Sequence, residues 1–283
     1  MNSLPDPLVA PPGRTLLVGF GKLGQSLAPR LLADGGEVIA LRRSDDALPE
    51  GVDGIRADLA SPLQAGLPAV DAMVVTLPPP GGVDGYRTAL AHLADALPHA
   101  PARTVFVSST GVFDGAASAH PITERDEPAP VGERARGLRD GERAAIELFG
   151  AVIVRPAGIY GPGRGFLLRQ VKQHAVVNHR RRTNRIHEDD LVRALDLLLR
   201  MPEPPPLVHA VDAASAPLGE VVGYIARTLG IDAPPDDASA GPTGFVHDGS
   251  LLRSLLGRLQ YPTYAEGYSA MIAASARHES PPE

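Results

Sequence analysis

The sequence predicts an α/β fold: a doubly wound parallel sheet of about seven strands with a smaller C-terminal α+β lobe. Three observations predict it. Short apolar runs such as Thr15–Val18, Ala72–Thr76 and Thr104–Ser108 recur along the chain. Stretches with helical spacing lie between them, and a glycine-rich turn joins the first run to the first helix. Strands that are apolar on both faces need cover on both faces. Alternating helices supply it in a parallel sheet, whose ligands sit at the carboxyl ends of the strands.

The elements follow in order. Thr15–Val18 leads into Gly19-Phe20-Gly21-Lys22-Leu23-Gly24. Leu23, Leu27 and Leu31 then recur at helical spacing, and Gly35-Gly36 closes the helix. Pro29 lies inside it, where it should remove a hydrogen bond and bend the axis. Glu37–Leu41 reads as the second strand, and a short third lies near Gly54–Ala57. Ala72–Thr76, Thr104–Ser108, Ala151–Val154 and Leu207–Val211 complete the seven. Helices are expected over roughly 84–97, 134–149 and 190–200. After residue 160 the rhythm breaks into shorter helices, loops and a short strand pair, with a loop over 231–244. The larger domain is expected over 14–160 plus 184–213, the smaller lobe over 161–183 plus 214–283. The Pro-rich residues 1–13 read as an irregular tail and the last six or so as frayed.

GFGKLG has the spacing G-x-G-x-x-G between a strand and a helix, the Rossmann context for a dinucleotide. Gly19 permits the tight turn, Gly21 lets backbone approach a pyrophosphate, and Gly24 lets helix and strand pack. The amides of the helix start, through Lys22 and Leu23, face the anion. An NAD-selective site has an acid at the tip of the second strand; here Arg42 and Arg43 stand there. Two guanidiniums suit a 2′-phosphate, so NADP is favoured and NAD is the alternative. Asp45 and Asp46 follow and could neutralise the pair in part. Thr76, Leu77 and Pro78, ending the fourth run, are placed on the same cofactor.

Composition excludes other classes. Net charge is −6, against general nucleic-acid binding. With no cysteine there is neither disulfide nor thiolate chemistry, and no metal site is expected. The start MNSLPDPLVAPPGR has neither a basic end nor an apolar core, so no signal peptide is expected. No apolar run is long enough to span a bilayer. A cytoplasmic protein with a small-molecule substrate and no membrane partner fits; no stripe demands a homo-oligomer. Only Lys22 and Lys172 are lysines, so arginine in place of lysine is weak evidence of changed chemistry.

Further segments resemble the extended short-chain dehydrogenases/reductases, the NAD-dependent epimerase/dehydratase family. These are Arg56-Ala57-Asp58-Leu59, Phe106–Phe113 (FVSSTGVF), Arg155–Gly163 (RPAGIYGPG), Asn184–Leu191 (NRIHEDDL) and Tyr261–Gly267 (YPTYAEG). With the glycine loop they run from about 15 to 270. The resemblance implies that Asp58 meets the adenine amino group, with Leu59 beside it. It implies that Ser108 flanks the cofactor and that Ser109 holds the substrate oxygen. Pro156, Ala157, Gly158 and Ile159 are implied to lie beside the nicotinamide. Thr110, Tyr160, Arg164, Arg185 and His187 join Ser109 on the substrate side. Asp190 also reads simply as a helix cap, His187 as a structural histidine, and Arg155 as a strand-end ion pair.

The chain departs from the family at its Tyr-x-x-x-Lys pair. There is no tyrosine between Tyr86 and Tyr160. Counting from Pro130 puts Gly132 at the tyrosine position and Arg136 at the lysine position. Arg136 can hold ribose hydroxyls, but a guanidinium stays charged at neutral pH and relays no proton. Glu124, Glu133 and Tyr160 are the candidate replacements as acid or base. Lys172, Arg180, Arg181, Arg182 and Arg185 crowd a stretch where the family often faces a nucleotide-sugar diphosphate; a solvated basic loop reads equally well. The reading is an NADP(H)-dependent oxidoreductase or isomerase on a small polar or nucleotide-sugar-like substrate, with Ser109 and Arg136 as its catalytic residues. The alternative is a non-catalytic NAD(P)H-binding regulator of the atypical subgroup.

Overall fold

A computed structural model of the chain describes residues 11–78 and 81–279. The expected irregular tail lies outside the described residues up to position 10, and the expected frayed end does so over 280–283. The chain opens with β1 (Arg14–Val18), α1 (Lys22–Ala33), β2 (Glu37–Arg42), β3 (Val52–Arg56), β4 (Ala72–Val75) and α2 (Gly85–Ala96). Next come β5 (Arg103–Val107), a single 3-10 turn (Thr110–Phe113), α3 (Glu133–Phe149), β6 (Val152–Pro156) and β7 (Gly158–Tyr160). Then follow α4 (Phe166–Lys172), β8 (Arg182–Thr183), β9 (Arg185–His187), α5 (Glu188–Arg200), β10 (Leu207–Ala210) and β11 (Ala216–Pro217). Helices α6 (Leu218–Leu229), α7 (Ser250–Leu256) and α8 (Tyr264–Glu279) end the chain.

All seven expected strands form and share one sheet, in the order β10-β6-β5-β4-β1-β2-β3. Strands β1 to β6 pair in parallel. Because β1 lies between β2 and β4, the strand order reverses there, and the crevice outside its carboxyl end is where such sheets bind ligands. The inner strands are buried on both faces, with Leu16, Val18, Val74, Val75 and Phe106 fully enclosed, while the edge strand β3 is largely exposed. Helix α1 presents Leu23, Leu27, Ala28 and Leu31 to this core. It runs through Pro29, which faces solvent, so water can serve the Gln25 carbonyl that loses its partner.

The described chain divides into two compact units. The first spans 11–117, 127–155 and 192–208 and holds most of the sheet; the second spans 118–126, 156–191 and 209–279. The second has its own apolar cluster around Tyr160, Val171, Val221, Val222, Ile225 and Tyr268. Strands β7 and β9 pair in parallel there, and β8 and β11 antiparallel. Asp190 does not cap α5 as its position suggested. It lies inside the first turn, and its carboxylate accepts the amides of Gln260 at 2.7 Å and Tyr261 at 2.8 Å. A chain turn 70 residues on has claimed it. Among the described residues no helix is long and apolar enough to cross a membrane.

Candidate functional site

The first unit forms its site where β1 meets α1. Gly19 turns with φ +85°, a conformation glycine tolerates and other residues resist. Its amide donates to the Leu41 carbonyl at 2.9 Å, and the Thr76 hydroxyl donates to the Gly19 carbonyl at 2.5 Å. The loop is thereby clamped between β2 and β4. A Cβ on Gly24 would stand 3.1 Å from the Phe20 ring, so this glycine serves packing. A Cβ on Gly21 would meet nothing within 4 Å, because Gly21 faces an open cavity.

That cavity has a volume of about 530 Å³. It brings together Gly19, Gly21, Arg42, Arg43, Asp58, Leu59, Leu77 and Pro78 among the residues read from sequence. Lys22, Leu23, Gly24, Thr76, Ser108 and Arg136 are not in its wall. Leu23 and Gly24 are buried in α1, and Thr76 clamps the loop. Sequence reasoning missed Phe20, Leu41, Ser44, Ala57, Ala60, Gly81, Gly85 and Ala89. Gly85 and Ala89 are small residues one turn apart at the start of α2, a pattern that could have marked a helix face against a ligand. Asp58 accepts the Ala60 amide through Oδ1 at 3.0 Å, which leaves Oδ2 for a donor in the cavity. Asp45 neutralises neither Arg42 nor Arg43: its carboxylate is paired with Arg56.

The two serines that end β5 part company. Ser108 is buried, and its hydroxyl donates to Glu142 Oε1 at 2.7 Å, so only its backbone is left for a cofactor. Ser109 is half-buried, and its Oγ accepts the Gly111 amide at 3.0 Å. This fixes the oxygen and leaves the hydroxyl hydrogen to donate. Behind Ser108 stands a buried ion network. Arg155 donates to Glu142 through Nε at 2.7 Å and Nη2 at 2.8 Å, and Arg139 adds a bond at 3.0 Å. Burial alone would raise the Glu142 pKa; the bonds and charge of Arg155, the Ser108 bond and the Arg139 bond prevail and hold it below the ordinary value.

Gly132 lies outside α3 as its N-cap rather than on the helix. Asp114 accepts the amides of Val131 at 2.7 Å and Gly132 at 2.9 Å. These bonds, the Val131 one above all, keep the Asp114 carboxyl below the usual carboxylate range. A Cβ on Gly132 would come 2.7 Å from Asp114 Oδ2. Arg136 is exposed, one turn into α3.

In the second unit the family-like segments are largely structural. Ala157 donates to the Ala210 carbonyl at 3.0 Å and Gly158 to the Asn184 carbonyl at 3.2 Å. Gly158 is exposed and Ile159 half-buried, so this backbone remains open to a neighbour. Tyr160 does not face a substrate. It is 3% exposed, stacks on Tyr268 with centroids 4.8 Å apart, and donates to the Thr263 carbonyl at 3.3 Å. Burial pushes its phenol far above the ordinary value. Gly267 is required beside it, since a Cβ there would lie 2.2 Å from the phenol oxygen.

His187 is also buried, 3.8 Å from the Tyr261 ring, and its Nδ1 accepts the Asp189 amide at 3.2 Å. Burial lowers its pKa despite three neighbouring acids. Arg185 is buried against Thr183 and over the Tyr264 ring, and Arg164 pairs with Glu188. The basic stretch is therefore not one open cluster: Arg180 also donates to the carbonyls of Asp237 and Ala238. Glu124 accepts the His209 amide at 2.9 Å, and Glu133 is exposed on the first turn of α3. Asp212, unforeseen from sequence, is buried with Oδ2 lacking a hydrogen-bond partner. Burial pushes it up to about 6.

Residues 86–191 match the RmlD substrate binding domain family. Over 274 residues the chain is 29% identical to Protein YeeZ of Escherichia coli K12, covering 88% of this chain and 96% of that protein. A stretch of 78 residues is 41% identical to dTDP-4-dehydrorhamnose reductase of Mycobacterium tuberculosis, 26% of each chain. Among solved structures, a protein of Methylobacillus flagellatus provisionally assigned to the NAD-dependent epimerases/dehydratases is 29% identical. It has a TM-score of 0.77 and covers 93% of this chain and 99% of its own. This is the epimerase/dehydratase fold. The resemblance read from the motifs is borne out, and so are the Rossmann-like sheet and its flanking helices. MoeE5, solved with UDP-glucuronic acid and NAD, shares the epimerase/dehydratase fold with a TM-score of 0.73, covering 94% of this chain and all of its own at 20% identity.

The first unit carries three chemical capacities. The glycine loop and the start of α1 offer amides to an anion. Arg42 and Arg43 offer charge at the tip of β2, beside the Asp58 carboxylate. Ser109 offers a fixed hydroxyl at the end of β5.

Proposed function

We propose that the chain binds NADP(H) in the cavity of the first unit and acts as an NADP(H)-dependent oxidoreductase or isomerase on a small polar or nucleotide-sugar-like substrate. One observation carries the reading: Gly21, whose Cβ position is open space, shares a cavity wall with two arginines and an acid. A Cβ at Gly21 would intrude where a dinucleotide's pyrophosphate belongs, so the residues present fit the cofactor. In this reading the loop amides hold the pyrophosphate, Arg42 and Arg43 hold the 2′-phosphate, and Asp58 Oδ2 accepts from the adenine. A bound nicotinamide supplies or accepts the hydride. Ser109 donates its hydroxyl hydrogen to the substrate oxygen and orients it, and Arg136 steadies ribose hydroxyls. The substrate class draws support from the match to the RmlD substrate binding domain.

Calorimetric titration with NADP, NADPH, NAD and NADH tests the reading. Tighter binding of the phosphorylated pair is expected, and no binding of any of the four refutes it. Turnover is then sought as NADPH oxidation across carbonyl compounds and nucleotide sugars.

A second reading has its own observation. Gly132 has no side chain, and Tyr160 is locked in a core, so neither supplies the proton that the family's tyrosine relays. That favours a redox-cofactor sensor without turnover. Limited proteolysis with NADP and with NADPH separates the two: a sensor gives different cleavage patterns, and an enzyme turns over.

A further inference from the structure

We propose that Arg56 is a third anion ligand of the same site, and that Asp45 holds it in reserve. The Asp45–Arg56 pair then sets how strongly a 2′-phosphate is preferred. This rests on the NADP(H) reading of the cavity but concerns residues that the reading leaves out. Strands β2 and β3 run parallel with Arg42 opposite Arg56. Neighbouring strands stand about 4.8 Å apart, so two guanidinium side chains leave adjacent positions at the carboxyl edge of the sheet. Their like charges repel, and an anion between them relieves the repulsion.

In the structure Arg56 already holds an anion of the chain itself, and Arg42 does not share it. Asp45 accepts from the Arg56 guanidinium. It follows directly on Arg42, Arg43 and Ser44, all three of which line the cavity. Arg56 lines a second cavity of about 360 Å³ and not the first. The two cavities share Ala57 and Asp58 as a wall, and Arg56 immediately precedes that wall. The side chains of Arg56 and Asp45 are 68% and 69% exposed, so both can rotate at little cost. An exposed ion pair is weak. A phosphate with nearly two charges and three acceptor oxygens competes well with one carboxylate for a guanidinium. Arrival of a 2′-phosphate therefore displaces Asp45 and recruits Arg56. NAD, lacking that phosphate, leaves the pair closed.

The test is calorimetric titration of the full chain with NADP and with NAD, comparing wild type, Asp45→Asn, Arg56→Gln and the double variant. The readout is the ratio of the two affinities. Asp45→Asn is expected to move it toward NADP by about three- to tenfold, and Arg56→Gln away from NADP by a similar factor. The double variant should match Arg56→Gln, because Asp45 acts only through Arg56. Raised salt should shrink every change. An unchanged ratio in Asp45→Asn, a shift toward NAD, or an Asp45→Asn effect that persists without Arg56 overturns the inference. The wild type's own preference tests the reading of the cavity. The change between variants tests Arg56 and Asp45 whichever cofactor the wild type prefers. Absence of binding to both overturns the two together. Thermal unfolding of the variants should match wild type, since both residues are exposed.

Discussion

Removing the Glu142 carboxylate should destabilise the first unit by about 3–5 kcal/mol, the usual consequence of leaving one member of a buried ion pair behind. Glu142 is fully buried and receives Arg155 twice, Ser108 once and Arg139 once. Arg155 is only 2% exposed, and its Nη1 already lacks a hydrogen-bond partner. In Glu142→Ala its charge would remain enclosed with no counter-charge. At a urea dependence of about 3 kcal/mol per molar, the transition should fall by about 1–1.7 M with little change in slope. Glu142→Met combined with Arg155→Met should recover much of the loss, because it removes both charges and keeps apolar volume. The pH dependence has a definite sign. The folded Glu142 carboxyl lies below its ordinary 4.5, so its contribution is complete above that value and is lost as pH falls through the folded pKa. Urea unfolding of wild type and the two variants from pH 7 down to pH 3, followed by circular dichroism, reads both effects. A Glu142→Ala protein within 1 kcal/mol of wild type, or a double variant no more stable than the single, would refute the reasoning.

Gly21→Val should abolish dinucleotide binding in calorimetry with the melting temperature nearly unchanged, since its Cβ meets nothing in the free protein; retained affinity would put the ligand elsewhere. Arg42→Ala with Arg43→Ala should weaken NADP by about ten- to hundredfold, as loss of a charge-assisted hydrogen bond does, and leave NAD unaffected. Ser109→Ala should cut any turnover while cofactor affinity stays level; full turnover in that variant ends its assignment. Gly132→Tyr should lower stability by about 1 kcal/mol, because displacing Asp114 uncaps the amides of Val131 and Gly132. Asp212 has its folded pKa raised to about 6 from 3.8, so its stabilising effect is complete below 3.8 and is lost as pH rises through about 6. The loss is about 3 kcal/mol, and Asp212→Asn should flatten unfolding free energy between pH 4 and pH 6.

The fold was legible because its signals are local. Each strand but the edge strand β3 is a short apolar run, and each strand lies in the sheet within a residue or two of where it was read. The glycine loop was legible for the same reason: strand, turn and helix are consecutive in the chain. The rest of the cavity wall comes from four separated segments, and what joins Leu41 to Ala57 or Gly85 is the strand order, which no single stretch encodes. What encloses Tyr160 and His187 was not legible, because a motif states which residue is present but not which way it faces. Their burial is decided by Tyr261 and Tyr268, which belong to the distant end of the chain.

Glu142 shows a further signal that sequence held and reading missed. Ala135, Leu138, Glu142, Ala145 and Phe149 lie at alternating spacings of three and four, the buried stripe of α3. A glutamate on such a stripe demands a buried cation, and Arg155 follows in the next strand. The pair ties α3 to β6, and its third bond holds Ser108. The residue that would hold substrate is therefore carried by a strand end whose preceding side chain is fixed from below. The proton relay has no such support. Gly132 adopts φ −71° and ψ 154°, a backbone open to any residue, so conformation does not demand glycine there. The Asp114 carboxylate oxygen would lie 2.7 Å from a Cβ there, so a side chain at 132 requires Asp114 to move. A side chain at 132 would therefore have to displace the Asp114 carboxylate from the amides of Val131 and Gly132.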